Sequence, residues 1–528
     1  MKSLMKRVFA AAAAIATVFG LAATTVATAN AADNATLTVS TTDAKFAGKT
    51  VNAYKMFSAT VSGDGKAVSY TLTDEWKPFF KNSVGLTGVT DENVNDKAND
   101  YVSKLKDSTL VAFATKASNW AQTKANNITA DATATVSADA SNGKYTATFT
   151  GLGYGYYVVA VPGATLANAK SQYATLVSVH STKVDADIKG DLPTVDKKVQ
   201  VDGTGKDATD AKIGDTLTFT LTSTIPDMSA YDTYTFNFKD TLSKGLTFGQ
   251  VKSVKVENVT LTENTDYTVT TPTASNNNTL TVAMKDFKTK QQANAGKKIT
   301  VTYTATLNEN AVVGGAGNVN SAKIQYSNNP STNGTGESEP SKVRVFTYGF
   351  TVDKYTGDQY TDAATRLAGA EFTLAHKDGS AISFVQVSAG SATANAVYRV
   401  AKAGETGTTT ITTPANGKVV FEGLKNGEYT LTETKAPAGY NKLASAIGVK
   451  VNGQNNGTDT TNATVTITYN NDNGNDYNQT ASNGVIPIRN KSGVTLPGTG
   501  GMGTIAFTVI GVLVIALGVA WTLKRKNA

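Results

Sequence analysis

Three short runs in this sequence place an amine, a carboxylate and a carboxamide on apolar strand faces. Side chains in a strand alternate between faces. Phe350, Val352 and Lys354 therefore share one side of the first run, Tyr429, Leu431 and Glu433 one side of the second, and Ile486, Ile488 and Asn490 one side of the third. In each run the shared side is the apolar one. A carboxylate held there must be neutralised or paired, because desolvation raises its pKa. A lysine there loses its charge by the same effect and becomes a nucleophilic amine. A second set repeats the pattern further upstream. Lys197 has the parity of the valines in the run Val195 to Val201; Tyr234, Phe236, Phe238 and Asp240 alternate; and Ile324, Tyr326 and Asn328 close the set. Lys198 and Asn329 are the one-residue alternatives, since a strand edge can carry a bulge.

The elements that would position these groups are strands. Thr, Val, Tyr and Phe recur in alternating runs such as Lys298 to Leu307, with Gly, Asn and Asp between them. The pattern predicts an all-β protein of tandem immunoglobulin-like β-sandwiches in an elongated array, with small helical insertions. Roughly 470 residues lie between the two processing regions described below, about right for three such domains. Composition suggests boundaries at 33–190, 194–340 and 345–491. Lys189 to Pro193 would separate the first pair, and the polar stretch from Asn328 to Pro340 would link the second. In the first domain, Ala98 to Asn127 carries Val102, Leu105, Leu110, Phe113 and Trp120 without strand alternation, which predicts a helix. No Lys, acid and Asn trio is evident in that domain.

Both ends carry export chemistry. The basic start Lys2, Lys6 and Arg7, the apolar alanine-rich run from Val8 to about Ala23 and the small-residue exit at Ala29 to Ala31 read as a signal peptide over residues 1–31. At the other end, residues 496–528 hold Leu496-Pro497-Gly498-Thr499-Gly500, an apolar stretch from about Gly503 to Leu523, and Lys524-Arg525-Lys526. Some 21 helical residues cover roughly 30 Å, enough to cross a bilayer, and the basic tail holds the cytoplasmic side. The formal charge of +7 falls to about +1 once both ends are removed, which argues against nucleic-acid binding by bulk electrostatics. With no Cys the exported protein has no disulfides, so robustness must come from elsewhere. The only two histidines, His180 and His376, suggest neither a metal site nor a hydrolytic triad, and no phosphate loop or nucleophile elbow is present. No metal, cofactor or enzymatic turnover is expected.

Several motifs resemble one family. The C-terminal order of motif, span and basic stop is similar to the cell-wall sorting signal cut by sortases. That likeness implies cleavage between Thr499 and Gly500 and transfer of Thr499 as an acyl group to an amine. Tyr429 to Tyr440, with Glu433, Pro437 and Gly439, resembles the E-box of domains like the B region of collagen adhesin, which also occur in pilins; Gly369 to Leu374 and Gly417 to Leu424 match the same family. The resemblance implies that Lys354 attacks the Asn490 carboxamide, that Glu433 shuttles protons, and that ammonia leaves as an amide forms. The middle region looks like the second domain of backbone pilins, in which Asp replaces Glu, implying Lys197 to Asn328 with Asp240.

In that family the lysine that accepts the next subunit sits in a Tyr-Pro-Lys-Asn segment, absent here; Lys189 is the positional counterpart. The resemblance implies a secreted, wall-anchored shaft subunit of a pilus that supports adhesion. Its partners would be a sortase, further copies of itself, ancillary pilins, peptidoglycan and a host matrix protein or glycan. The alternatives are a monomeric wall-anchored adhesin and an ancillary pilin.

Overall fold

The computed structural model describes residues 34–62, 67–164, 174–188, 190–328, 334–361, 365–454, 463–470 and 477–493, with isolated helical positions at 515, 517 and 521. The described strands form six sheets, two in each of three successive stretches of chain.

The first stretch pairs a three-stranded sheet with a five-stranded one, drawn from strands between Ala35 and Asp187. The helical segment is present but divided. Helices span Lys77–Asn82, Val94–Ser103 and Asp107–Gln122, where a single helix over 98–127 was expected. The break falls at Lys106, which is extended at φ −144° and ψ 153° and whose N–H donates to Thr109 Oγ1 at 2.9 Å. A hydroxyl that caps a new helix competes with continuing the old one. The helices bury Phe79, Phe80, Val94, Val102 and Phe113 against Phe57 and Tyr156 of the larger sheet.

The middle stretch has the two sheets that matter most. One runs, in spatial order, Thr204–Lys206, Asp196–Val201, Thr216–Thr224, Lys298–Leu307, Leu246–Val256 and Val259–Thr260. The facing sheet runs Ala208–Asp210, Ser341–Phe346, Asn318–Ser327, Phe236–Leu242, Thr279–Met284 and Tyr267–Thr270. Alternation runs through Lys298–Leu307: Ile299, Val301, Tyr303, Ala305 and Leu307 are buried, and on the other face only Thr304 is buried as well. Thr300 and Thr306 on that face pair across strands, Thr300 with Thr222 at 3.2 Å and Thr306 with Thr216 at 2.9 Å.

The polar stretch from Asn328 to Pro340 is not a link between units. Ser341–Phe346 pairs with Asn318–Ala322 and so belongs to the middle sheets. The next strand, Tyr348–Thr356, opens the last pair of sheets after the single residue Thr347.

The last stretch packs a six-stranded sheet containing Tyr348–Thr356 and Val485–Arg489 against another containing Glu371–His376 and Gly427–Lys435. The first and last strands of this unit are parallel neighbours, with Lys354 opposite Ile488.

Candidate functional site

The last unit brings its three expected residues together. Lys354, Glu433 and Asn490 are all buried. Lys354 Nζ lies 3.3 Å from Glu433 Oε1 and donates to the Ile488 carbonyl at 3.3 Å. Asn490 Nδ2 donates to Glu433 Oε2 at 3.0 Å and to the Asn441 carbonyl at 2.5 Å. The Leu443 N–H donates to the same Oε2 at 2.8 Å, fixing the carboxylate plane. One carboxylate thus faces the amine with one oxygen and the carboxamide with the other. Burial lowers the Lys354 pKa to about 8, although the Glu433 charge opposes the shift. A carboxylate so placed can take a proton from the amine and return one to the amide nitrogen.

The middle unit holds a second cluster, across its two sheets. Lys197 comes from one sheet and Asp240 from the other; both side chains are fully buried and paired through Lys197 Nζ and Asp240 Oδ2. Lys197 Nζ also donates to Tyr303 Oη at 2.9 Å, and Tyr303 Oη donates to Asp240 Oδ2 at 2.6 Å. Burial is the largest influence on Lys197 and lowers its pKa to about 8 against the pull of Asp240. The rings of Phe219 and Tyr303 are stacked at 5.3 Å, and each lies 5.2 Å from the Lys197 ammonium.

The carboxamide in this cluster is that of Asn320, not Asn328. Asn320 is completely buried and its Nδ2 donates to Tyr303 Oη at 2.6 Å. Asn328 lies beyond the far end of the same strand, half-buried, in a hollow lined by Lys49, Thr50, Asn52, Pro162, Tyr326 and Gly336. The strand runs antiparallel to Phe236–Leu242, so that Leu242 faces Asn320 and Phe236 faces Tyr326. Eight residues at about 3.3 Å each put Asn328 roughly 26 Å along the strand from Asn320. Parity identified the inward face correctly but did not say which end of the face meets the acid. The neighbouring Asn318 is also buried, yet its amide is spent on Val312 N, Val312 O and Val345 O.

Lys198 points away from the cluster, towards Asp207 at 2.6 Å and Asp196 at 3.3 Å. Asn329, Lys189, the signal segment and Leu496 to Gly500 lie outside the described residues. Sequence reasoning missed Tyr303 and Asn320. The signal was available, since Tyr303 is the one polar-tipped side chain on the inward face of Lys298–Leu307, and Asn320 has the inward parity of Ala322 and Ile324. Among the described residues no group of acids and histidines is arranged to hold a metal ion.

Family models match three parts of the sequence. Residues 213–330 match the Gram-positive pilin backbone subunit 2, Cna-B-like domain; residues 358–466 match the SpaA prealbumin-like fold domain; and residues 489–528 match the LPXTG cell wall anchor motif. The chain carries a Gram-positive pilin backbone domain and a cell wall anchor.

The trypsin-resistant surface T6 protein of Streptococcus pyogenes serotype M6 is 26% identical over 279 residues, covering 48% of this chain and 44% of that protein. The chain therefore spans less than half the length of this curated relative. Among solved structures, the T6 backbone pilin of S. pyogenes is 20% identical, with 80% of this chain and 83% of that chain covered at a TM-score of 0.45. The full-length major pilin SpaD of Corynebacterium diphtheriae is 20% identical, with 88% and 98% covered at 0.40. The C-terminal fragment of the major pilin GBS80 of Streptococcus agalactiae is 24% identical, with 57% and 100% covered at 0.41.

Proposed function

We propose that the chain is the shaft subunit of a sortase-assembled pilus, exported, polymerised head to tail and attached to peptidoglycan, and that two internal amide bonds lock it. The observation that carries this reading is the presence of two buried Lys, acid and Asn clusters in successive β-units upstream of a cell wall anchor motif.

In the last unit, Lys354 passes a proton to Glu433 and its nitrogen attacks Cγ of Asn490. The tetrahedral adduct collapses as a proton reaches Nδ2, the C–Nδ2 bond breaks and ammonia leaves. In the middle unit Lys197 and Asn320 join in the same way, with Asp240 as the acid. Burial serves both steps, because it frees the amine of its proton and excludes water from the adduct. The reaction occurs once per molecule and is not turnover.

Between subunits, Thr499 is transferred by a sortase to an exposed lysine of another copy, and Lys189 is the positional candidate. Ancillary pilins and a host matrix protein or glycan are the further partners this role would bring. An immunoblot of wall extracts from cells with and without the cognate sortase tests the assembly: a high-mass ladder that needs the sortase is expected. A single sortase-independent band would favour a monomeric adhesin.

A further inference from the structure

We infer that Tyr303 is a catalytic residue of the middle cross-link, the group through which the proton reaches the departing nitrogen. The inference rests on the proposed Lys197–Asn320 bond and adds a reacting side chain to it.

The two clusters bridge amine and carboxamide differently. In the last unit Glu433 spans the reaction by itself, with Oε1 near the amine at 3.3 Å and Oε2 bonded to the carboxamide nitrogen at 3.0 Å. In the middle unit the acid is one methylene shorter. Asp240 Oδ2 meets Lys197 Nζ and Tyr303 Oη, while Asp240 Oδ1 has no hydrogen-bond partner among the described residues. Among the described residues the group bonded to Asn320 Nδ2 is the phenol, at 2.6 Å. Tyr303 Oη thus touches all three members of the set: the nucleophile at 2.9 Å, the acid at 2.6 Å and the leaving group at 2.6 Å. The missing methylene is filled by a hydroxyl.

The ring is held for this purpose. Tyr303 is completely buried, stacks on Phe219 with 18° between planes and has Phe248 at 6.1 Å. Burial and the neighbouring Asp240 charge both keep the phenol protonated far above its ordinary range, so it is available as a donor at any working pH.

The step balances. The Lys197 ammonium gives one proton to Asp240, and the neutral amine bonds to Cγ of Asn320. Tyr303 gives its proton to Nδ2 and regains one from the attacking nitrogen. The carbonyl re-forms, the C–Nδ2 bond breaks and ammonia leaves. The products are a secondary amide, ammonia and a protonated Asp240.

The test uses the full chain, pulse-labelled in cells lacking the sortase and digested at intervals, with joined peptides measured by mass spectrometry. The Lys354–Asn490 peptide serves as an internal control within the same molecule. Tyr303→Phe should slow appearance of the Lys197–Asn320 peptide by about 100-fold, the usual scale of one proton-transfer group, and leave the control unchanged. Joining at the wild-type rate in Tyr303→Phe would overturn the inference and leave the cross-link standing. Absence of the Lys197–Asn320 peptide from the wild-type chain would overturn the cross-link itself.

If the middle unit of Tyr303→Phe does not fold, shown by trypsin cutting between residues 196 and 346 where the wild-type chain resists, 3-fluorotyrosine placed at position 303 keeps ring and hydroxyl while making the phenol more acidic. A changed joining rate supports proton transfer through the phenol, and an unchanged rate overturns it.

Discussion

Asn490→Ala isolates what the C-terminal bond contributes. The substitution removes the acyl group but leaves Lys354 beside Glu433, whose Oε2 still accepts from the Leu443 N–H at 2.8 Å. No buried charge is orphaned. The bond would close a loop from residue 354 to residue 490, roughly 135 residues, which in the chain-entropy treatment of cross-links corresponds to about 5 kcal/mol. Truncating the carboxamide itself costs only about 1 kcal/mol. For a unit of this size the combined loss lowers the melting temperature by about 10–20 °C. The paired assay is intact mass. Each bond releases one ammonia, so the wild-type chain should fall about 34 Da below the mass of its sequence and the variant about 17 Da below its own. A variant that keeps the full deficit, or that melts within about 3 °C of wild type, would refute the assignment of Lys354 to Asn490.

Three further outcomes are expected. In the uncrosslinked Asn490→Ala chain, Lys354 titrates near 8 when folded against 10.5 in its ordinary state, so the unfolded chain binds more protons between those values. Stability should climb with pH across that window, with the burial penalty complete below about 8 and gone above 10.5; a urea-midpoint comparison with Asn490→Ala/Lys354→Met, which lacks the titrating group, should show the slope vanish. Lys189→Arg should abolish the high-mass ladder in wall extracts, and a persistent ladder would move the acceptor to another lysine. Among the described residues the first unit buries only Ser118 and Gln122 as polar side chains and has no buried lysine. Limited trypsin digestion on a temperature ramp should therefore cut between residues 34 and 188 before it cuts the other units.

Much of this was legible because strand alternation is a two-valued code. Parity alone placed Lys354, Glu433 and Asn490 inward, and Lys197 and Asp240 with them, since each sits among residues that must be buried. Parity carries no information along the strand. Asn328 and Asn320 have the same parity, and only the antiparallel pairing of Asn318–Ser327 with Phe236–Leu242 puts Asn320 near the acid. The code also fails where both faces are covered. Asp353 has outward parity relative to Lys354 yet is completely buried, held by Arg366 Nε at 2.7 Å from the neighbouring edge strand Thr365–Arg366 and by Tyr360 Oη at 2.9 Å. The divided helix escaped for a different reason. The apolar spacing from Val102 to Phe113 runs through the break, and the cap that interrupts it depends on one hydroxyl, Thr109.

The two clusters differ in what they would protect under load. In the last unit the chain enters at Tyr348 and leaves just after Asn490, so a Lys354–Asn490 bond joins the strand that receives force to the strand that delivers it. These strands are parallel neighbours in one sheet, and the covalent path would bypass nearly the whole domain. In the middle unit a Lys197–Asn320 bond also starts at the entering strand, but it ends on a strand followed by Thr335–Glu337 and Ser341–Phe346. Those segments carry force through backbone hydrogen bonds to Asn318–Ser327 and to Ala208–Asp210. With that bond formed, they would yield before the covalent path is tensioned. Tying the two sheets together there preserves the core while leaving a short reserve of chain, roughly 25 residues or some 80 Å when extended, to lengthen under tension. A shaft built from such subunits would combine one inextensible unit with one that stretches by a fixed amount.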